Sequence, residues 1–192
     1  MTDPSRKFID AATDLFAERG LHGVSLADVA RELGLTKQSV LYHFKTKQAL
    51  FGAVLGEVAD RLSSTLVAVK RAEVTPTDRV GLLIDGIHTH MAAHPQDARI
   101  IARELADNPG RVDTARSLPL TEIVDIAVSI LHAHPAAAPL PEARVAAATY
   151  QLIGAIVFFS ISEPTLRAMW GSARLDSVKH VFLPVLKEAW GV

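Results

Sequence analysis

Apolar residues recur every three or four positions along almost the whole chain, and this spacing predicts helices. The pattern is longest over residues 47–71. One helical face there carries eight large apolar side chains: Leu50, Phe51, Val54, Leu55, Val58, Leu62, Leu66 and Val69. No window combines strand-like alternation with β-branched enrichment and hairpin turns. The sequence therefore predicts an all-α chain of about nine helices.

The distribution of prolines predicts the domain organisation. Pro4 is the only proline in the first 70 residues, and nine follow in the remainder of the chain. Because proline interrupts or ends helices, we expect an N-terminal three-helix unit over residues 1–46. The long fourth helix then joins it to a larger helical domain over residues 47–192. The last two long helices are expected over residues 142–162 and 175–190, with a short segment between Pro164 and Gly171.

Composition excludes several classes of protein. Of 192 residues 49% are hydrophobic, so the chain can bury a core. The absence of cysteine excludes disulfides, thiolate metal sites and cysteine nucleophiles. A net charge of −1 requires any nucleic-acid surface to be a local patch. The polar N-terminus lacks a signal peptide, and the apolar run over residues 152–161 is shorter than a membrane span of about 20 residues. We expect a cytoplasmic protein without membrane contact.

Residues 24–47 carry the most specific local pattern. Ser25 and Asp28 form a variant capping box at the start of one short helix. Gly34 follows that helix, where a left-handed residue is favourable, and Thr36 caps the next helix. Two short helices joined by a tight glycine turn form a helix-turn-helix, with the motif at about residues 25–44.

The second of these helices is expected to expose hydrogen-bonding side chains. They are Lys37, Gln38, Ser39, Tyr42 and His43. From Arg31 to Lys47 there are four Lys or Arg residues and one acid, so the local charge is positive. A recognition helix needs polar groups for base edges and nearby cations for phosphates. On spacing alone, an ordinary helical pair with a polar face fits equally well.

The run FIDAATDLFAERGLHGVSLADVARELGLTKQSVLYHFKTKQALF, residues 8–51, resembles the DNA-binding domain of TetR/AcrR-type bacterial transcriptional regulators. The matching features are Phe16 and Gly20 at the end of the first helix, the Ser25-capped second helix, and a recognition helix that runs into Tyr42, His43, Phe44 and Lys47. Members often have two aromatics before the His-Phe pair, whereas this chain has Leu41-Tyr42.

The resemblance implies a sequence-specific regulator, more often a repressor, that binds palindromic double-stranded operator DNA as a homodimer through its last two long helices. Lys37, Gln38 and Ser39 are candidates for base edges. Ser25, Tyr42, His43 and Lys47 are candidates for phosphates, and Thr36 completes the DNA-binding set.

The resemblance also implies a small-molecule effector in the C-terminal domain that releases the DNA. The apolar stripes predict a hydrophobic pocket whose candidate residues are Ile87, His88, Met91, Ile123, Ala127, Tyr150, Phe158 and Trp170. No dense acidic cluster or arginine pair favours a charged effector, so we expect a neutral or mildly polar molecule. The alternative is a solid core, with regulation by abundance alone.

Catalytic and metal-binding motifs are missing from the sequence. His88, His90 and His94 lie close together, but no HExxH or clustered carboxylate pattern accompanies them. No nucleophile-elbow, P-loop or dinucleotide motif is present either. We therefore expect no enzyme activity, no cofactor and no metal. The alternative functions are an all-α enzyme and a helical protein-interaction module without DNA binding.

Overall fold

A computed structural model describes residues 5–107 and 119–192 of the chain. Every regular element in those residues is helical, which confirms the predicted fold class. Nine helices are described: α1 (Arg6–Arg19), α2 (Leu26–Glu32), α3 (Lys37–His43), α4 (Lys47–Arg71), α5 (Pro76–Ala93), α6 (Pro95–Asp107), α7 (Leu120–His132), α8 (Glu142–Trp170) and α9 (Ser172–Glu188).

The three short helices α1–α3 form the N-terminal unit, and side-chain caps fix where α2 and α3 begin. Ser25 Oγ accepts a hydrogen bond from the Asp28 backbone N–H, and the Asp28 carboxylate accepts from the Ser25 N–H. This is the predicted capping box. Thr36 Oγ1 accepts from the Ser39 N–H at the start of α3. Between the two helices Gly34 has a φ of 65°, a conformation that L side chains rarely adopt.

Helix α4 connects the N-terminal unit to the rest of the chain. All eight apolar side chains predicted for its inner face are buried. Its first turns pack against α1, where the Phe16 and Phe51 rings meet edge to face with centroids 5.1 Å apart. Its later turns pack against α5 and α7. One helix therefore contributes to the core of both parts.

The structure corrects the predicted ends of the last two long helices. Helix α8 continues through Pro164 to Trp170 instead of ending at Ser162, and α9 begins at Ser172 instead of residue 175. A proline removes one backbone hydrogen bond from a helix, but contacts on both sides of it hold α8 together. Glu163 accepts hydrogen bonds from Arg167 in the same helix and from Lys179 in α9.

Smaller differences concern α6 and α7. Leu105, which the periodicity assigns to the apolar stripe of α6, is 66% exposed. The apolar run from Leu120 to His134, which stops before Pro135, predicts a helix over those residues, but α7 ends at His132. Asp3-Pro4 predicts a helix start and Asn108-Pro109-Gly110 predicts a helix end, and both lie outside the described residues.

Candidate nucleic-acid interface

Helix α3 presents a polar face to solvent because one apolar residue anchors its opposite face. Val40 is completely buried against the rest of the N-terminal unit. Lys37 and Gln38, in the first turn of α3, are exposed, and Ser39 is half-buried. Tyr42 is 83% exposed in the last turn. The predicted base-contacting residues therefore lie together at the N-terminal end of α3.

The two cap hydroxyls already take part in hydrogen bonds. Ser25 Oγ donates to Asp28 Oδ2 at 2.6 Å, and Asp28 Oδ1 accepts from Arg31 Nη1 at 2.8 Å. The Ser25 hydroxyl, the Ser25 backbone N–H and Arg31 together lower the pKa of Asp28, so it is a carboxylate. Thr36 Oγ1 lies 3.1 Å from Ser39 Oγ. A phosphate at Ser25 would therefore compete with Asp28 for the hydroxyl proton.

The aromatic end of α3 packs onto α1. The His43 ring lies between two other rings, 5.0 Å from that of Phe8 and 5.1 Å from that of Tyr42, measured between centroids. His43 is half-buried, and Lys47, in the first turn of α4, is half-buried as well. Sequence reasoning treated His43 as a surface residue and missed its packing on Phe8. No local pattern reveals that contact, because it joins residues 35 positions apart.

Helix α6 holds the C-terminal end of α1 in place. The Arg103 guanidinium donates to the Ala17 carbonyl at 3.3 Å and to the Glu18 carbonyl at 2.9 Å. These carbonyls lie in the last turn of α1, where intrahelical partners are missing. A Cβ at Gly20, whose φ is 70°, would lie 3.0 Å from Arg103 Nη1. Gln96 adds a hydrogen bond to Asp14. The larger helical part of the chain thus positions the N-terminal unit directly.

Known proteins are similar to this chain in sequence and in fold. Residues 8–54 match the model of a family described as bacterial regulatory proteins, tetR family. This part of the chain is similar to the tetR family. The resemblance seen in the sequence is thereby confirmed for the helices that carry the helix-turn-helix.

Three known proteins show how far the similarity extends. The chain is 30% identical over 100 residues to the HTH-type transcriptional regulator RutR of Escherichia coli. The aligned residues make up 52% of this chain and 47% of RutR. It is 35% identical over 99 residues to the HTH-type transcriptional repressor Rv3405c of Mycobacterium tuberculosis, 52% of this chain and 45% of the repressor. The chain spans about half the length of the curated relatives it matches. The structure of Bacillus subtilis FadR in complex with stearoyl-CoA has the same fold, with a TM-score of 0.68 at 18% identity over 94% of this chain and 96% of FadR.

A buried network of charged side chains joins α4, α5 and α6. Asp97, at the start of α6, is 1% exposed. Its carboxylate accepts two hydrogen bonds from Arg61 of α4, at 2.6 and 3.1 Å, and lies 2.9 Å from Nε2 of His90 in α5. Burial alone raises the pKa of Asp97, but the hydrogen bonds from His90 and Arg61 outweigh burial and lower it. Asp97 therefore ties three helices together as a carboxylate.

The network continues from Arg61 toward α1. Glu57 of α4 lies 3.9 Å from Arg61 Nη1 and accepts a hydrogen bond from Arg6 of α1 at 2.8 Å. Arg6 also donates to Asp10 at 3.1 Å. Charged side chains therefore connect α5, α6, α4 and α1. The Arg6–Asp10 and Glu57–Arg61 pairs are local, since their partners are four positions apart. The Arg6–Glu57 pair joins residues 51 positions apart and does not follow from local sequence.

The structure separates the candidate effector residues. Four of them lie in the core, namely Ile87, Met91, Ile123 and Ala127. Tyr150 and Phe158 are 71% and 68% exposed, whereas His88 and Trp170 are half-buried. The eight residues therefore do not surround one described cavity, and their role in ligand binding stays a prediction. Sequence reasoning did not identify a groove of about 660 Å³ between α4 and α5, which none of the eight lines.

The clustered histidines have protein partners or exposed positions. His90 pairs with Asp97, and the exposed His94 ring lies with its centroid 5.0 Å from that of His90. Across residues 5–107 and 119–192, no group of three or more His, Asp or Glu residues could hold a metal ion.

Proposed function

We propose that this chain is a sequence-specific, DNA-binding transcriptional regulator that acts as a repressor. The observation that carries the proposal is the exposed polar first turn of α3, with Lys37 and Gln38 uncovered beside the α2–α3 turn. A helix-turn-helix inserts the N-terminal part of its second helix into the major groove. The tetR-family match and the repressor that is similar to this chain over about half of its length support the same function.

Within this proposal, Lys37, Gln38 and Ser39 contact base edges. Tyr42, His43 and Lys47 contact phosphates, together with the cap residues Ser25 and Thr36. The exposed Tyr42 hydroxyl and the amides at the start of α2 and α3 suit a phosphate backbone that passes along both helices.

The test compares Lys47→Ala with Lys70→Ala. Both lysines belong to α4, but 23 residues separate them, which is about 35 Å along a helix. Operator sequences are first selected from random duplexes, and affinity is then measured by fluorescence anisotropy over a range of salt concentrations. Lys47→Ala should weaken binding to all sequences and lower the salt slope by about one unit. Lys70→Ala should match the wild type.

Gln38→Ala tests the assignment of base contacts. It should relax the preference at one or two operator positions, each worth about 1–3 kcal/mol. Failure to select any sequence from random DNA would refute the proposal. Equal effects of Lys47→Ala and Lys70→Ala would refute the placement of DNA on α3.

The regulator is proposed to act as a homodimer on a palindromic operator. One three-helix unit reads few bases, so two copies are needed for useful specificity. Helices α8 and α9 expose large apolar side chains on their outer surface: Tyr150, Phe158, Met169, Val181 and Val185. Exposed apolar area of this kind marks an interaction surface. Packing the two helices against their symmetry mates would bury it.

Helix α8 also has the length and hydropathy to cross a membrane. Its most apolar 18-residue window has a mean hydropathy of 1.7, and 28% of that window is buried within the chain. We favour the dimer, because α8 packs against α5, α6, α7 and α9 on its other side.

Sedimentation velocity tests the dimer directly. At micromolar concentration the wild type should sediment as a species of twice the 20.7 kDa of one chain. Phe158→Asp should shift the sedimenting species toward the monomer. The control is Val124→Asp, since Val124 is also exposed but lies on α7. A wild-type monomer would refute the dimer, as would an equal effect of the two variants.

Release by a small hydrophobic effector completes the proposal. The structurally similar FadR binds stearoyl-CoA, which shows that this fold accommodates an acyl ligand in that protein. To move a population from 1:99 to 99:1, an effector must bind the released state more tightly by about 5.5 kcal/mol. A thermal-shift screen of hydrophobic metabolites, followed by operator-release assays on the hits, tests this step. Hits that raise the melting temperature but never change operator affinity would contradict it.

A further inference from the structure

The groove between α4 and α5 has a mainly apolar lining with polar groups toward its ends. Ala68 and Val69 of α4 and Ala72 just after it form one wall, and Leu82 and Ala93 of α5 contribute apolar surface opposite. Its volume of about 660 Å³ lies in the range of small-molecule sites. From Thr65 to Ala72 the wall is about 10 Å long, at 1.5 Å per helical residue.

The two ends of the groove differ in charge. Toward one end the Asp85 carboxylate is paired with Lys187 of α9, with Oδ2 and Nζ 2.7 Å apart. The other end is formed by His90 and His94, whose ring centroids are 5.0 Å apart. The N-terminus of α6 begins at Pro95 directly beyond them and adds a positive partial charge. The cation at the Asp85 end is already paired, whereas the histidine end offers imidazole groups and the positive end of α6 to a negative head group.

One ring nitrogen of His90 is hydrogen-bonded to Asp97, and the other has no protein partner among the described residues. Nε2 donates to Asp97, because the Asp97 carboxylate can only accept. Among the described residues, no hydrogen-bond partner is found for Nδ1 of His90. The hydrogen bond to Asp97 fixes the orientation of the His90 ring, and His90 also lines the groove.

We infer that this groove binds a small monocarboxylate, with its carboxylate against His90 and His94 and its apolar body along Ala68, Val69 and Ala72. The length of the apolar wall suits a body of about eight carbons. The sequence alone led to the expectation of a neutral or mildly polar effector, because it showed no dense acidic cluster and no arginine pair. The sequence places His90 close to His94, but only the packing of α4 against α5 puts both at the end of a groove.

The site is connected to the N-terminal unit. Asp97, which supports His90, also holds Arg61, and Arg61 neighbours the Glu57–Arg6 pair at α1. A carboxylate that binds His90 changes the charge balance around Asp97 and thereby the contacts that position α1. This regulatory effect rests on the proposed function, whereas the binding of the carboxylate itself does not.

The experiment measures direct binding by isothermal titration calorimetry at pH 6.5, with octanoate, octan-1-ol and octylamine as probes of equal length. Octanoate should bind the wild type at least tenfold more tightly than octan-1-ol, and octylamine should show no binding. His94→Gln should weaken octanoate binding at least fivefold without disturbing the buried Asp97. His180→Gln is the control, because His180 is an exposed histidine of α9 that lies outside the groove.

A second variant tests the apolar part of the site. Ala68→Trp places an indole across the groove from an exposed position and should abolish octanoate binding, while circular dichroism shows an unchanged helix content. Octanoate binding that survives both Ala68→Trp and His94→Gln would overturn the inference, as would equal binding of the acid and the alcohol. If the chain binds octanoate as expected but no DNA, the proposed function fails alone. If it binds operator DNA but not octanoate, this inference fails alone.

Discussion

Removing the Asp97 carboxylate should destabilise the protein more than removing any exposed acid. In Asp97→Ala, Arg61 and His90 lose their shared partner and three hydrogen bonds disappear. The His90 side chain is 5% exposed and that of Arg61 28% exposed, so water reaches only Arg61. Breaking a buried ion pair costs about 3–5 kcal/mol when one charge is left behind. The partial exposure of Arg61 favours the lower end, and we expect a loss of about 3 kcal/mol.

Urea denaturation followed by circular dichroism at 222 nm measures this loss. Asp60→Ala is the control, since Asp60 is an exposed acid on α4 and its removal should cost no more than about 0.5 kcal/mol. In Arg61→Met/Asp97→Ala the unpaired guanidinium is gone, so the loss should be smaller than the sum of the two single changes. A loss below about 1 kcal/mol in Asp97→Ala, or strict additivity in the double variant, would refute the idea that the network holds α4, α5 and α6 together.

Three further outcomes follow from local features. The difference in unfolding free energy between wild type and Asp97→Ala should have its full size above about pH 4 and shrink below it. The reason is that the lowered folded-state pKa of Asp97 adds stability, which is lost as the carboxylate becomes protonated. A difference that stays constant in urea titrations at acid pH would contradict an ionised Asp97. Thr36→Ala should cost about 1 kcal/mol through loss of the α3 cap, measured by urea denaturation, and a value near zero would count against that cap. Gly34→Ala should cost about 1–2 kcal/mol in the same assay from backbone strain alone, since a Cβ there has no heavy atom within 4 Å; a stabilising effect would disprove the left-handed turn.

The sequence was most informative where structure is decided within a few residues. A cap, a glycine turn and a helical stripe each depend on side chains three or four positions apart. Ser25, Gly34 and Thr36 accordingly occupy the predicted positions, and the inner face of α4 is buried as expected. The polar surface of α3 was also predictable, because Gln38 and Tyr42, two positions from the buried Val40, fall on the opposite side of the helix.

Helix ends near proline were less predictable. The local cost of Pro164 suggested that α8 would end before it, but hydrogen bonds from Arg167 and Lys179 to Glu163 hold the helix beyond that point. Tertiary contacts with α9 outweigh the loss of one backbone hydrogen bond.

The sequence by itself determined the all-α fold class, the helix-turn-helix and the residues that α3 can present, since helical periodicity and capping are local properties. Only the tertiary structure decided that Arg103 caps α1, that Asp97 joins His90 to Arg61, and that two histidines end a groove between α4 and α5. Those contacts join helices distant in the chain. The low-polarity interior strengthens these paired interactions, which must offset the cost of removing charged groups from water, and no local pattern encodes which distant partners meet there.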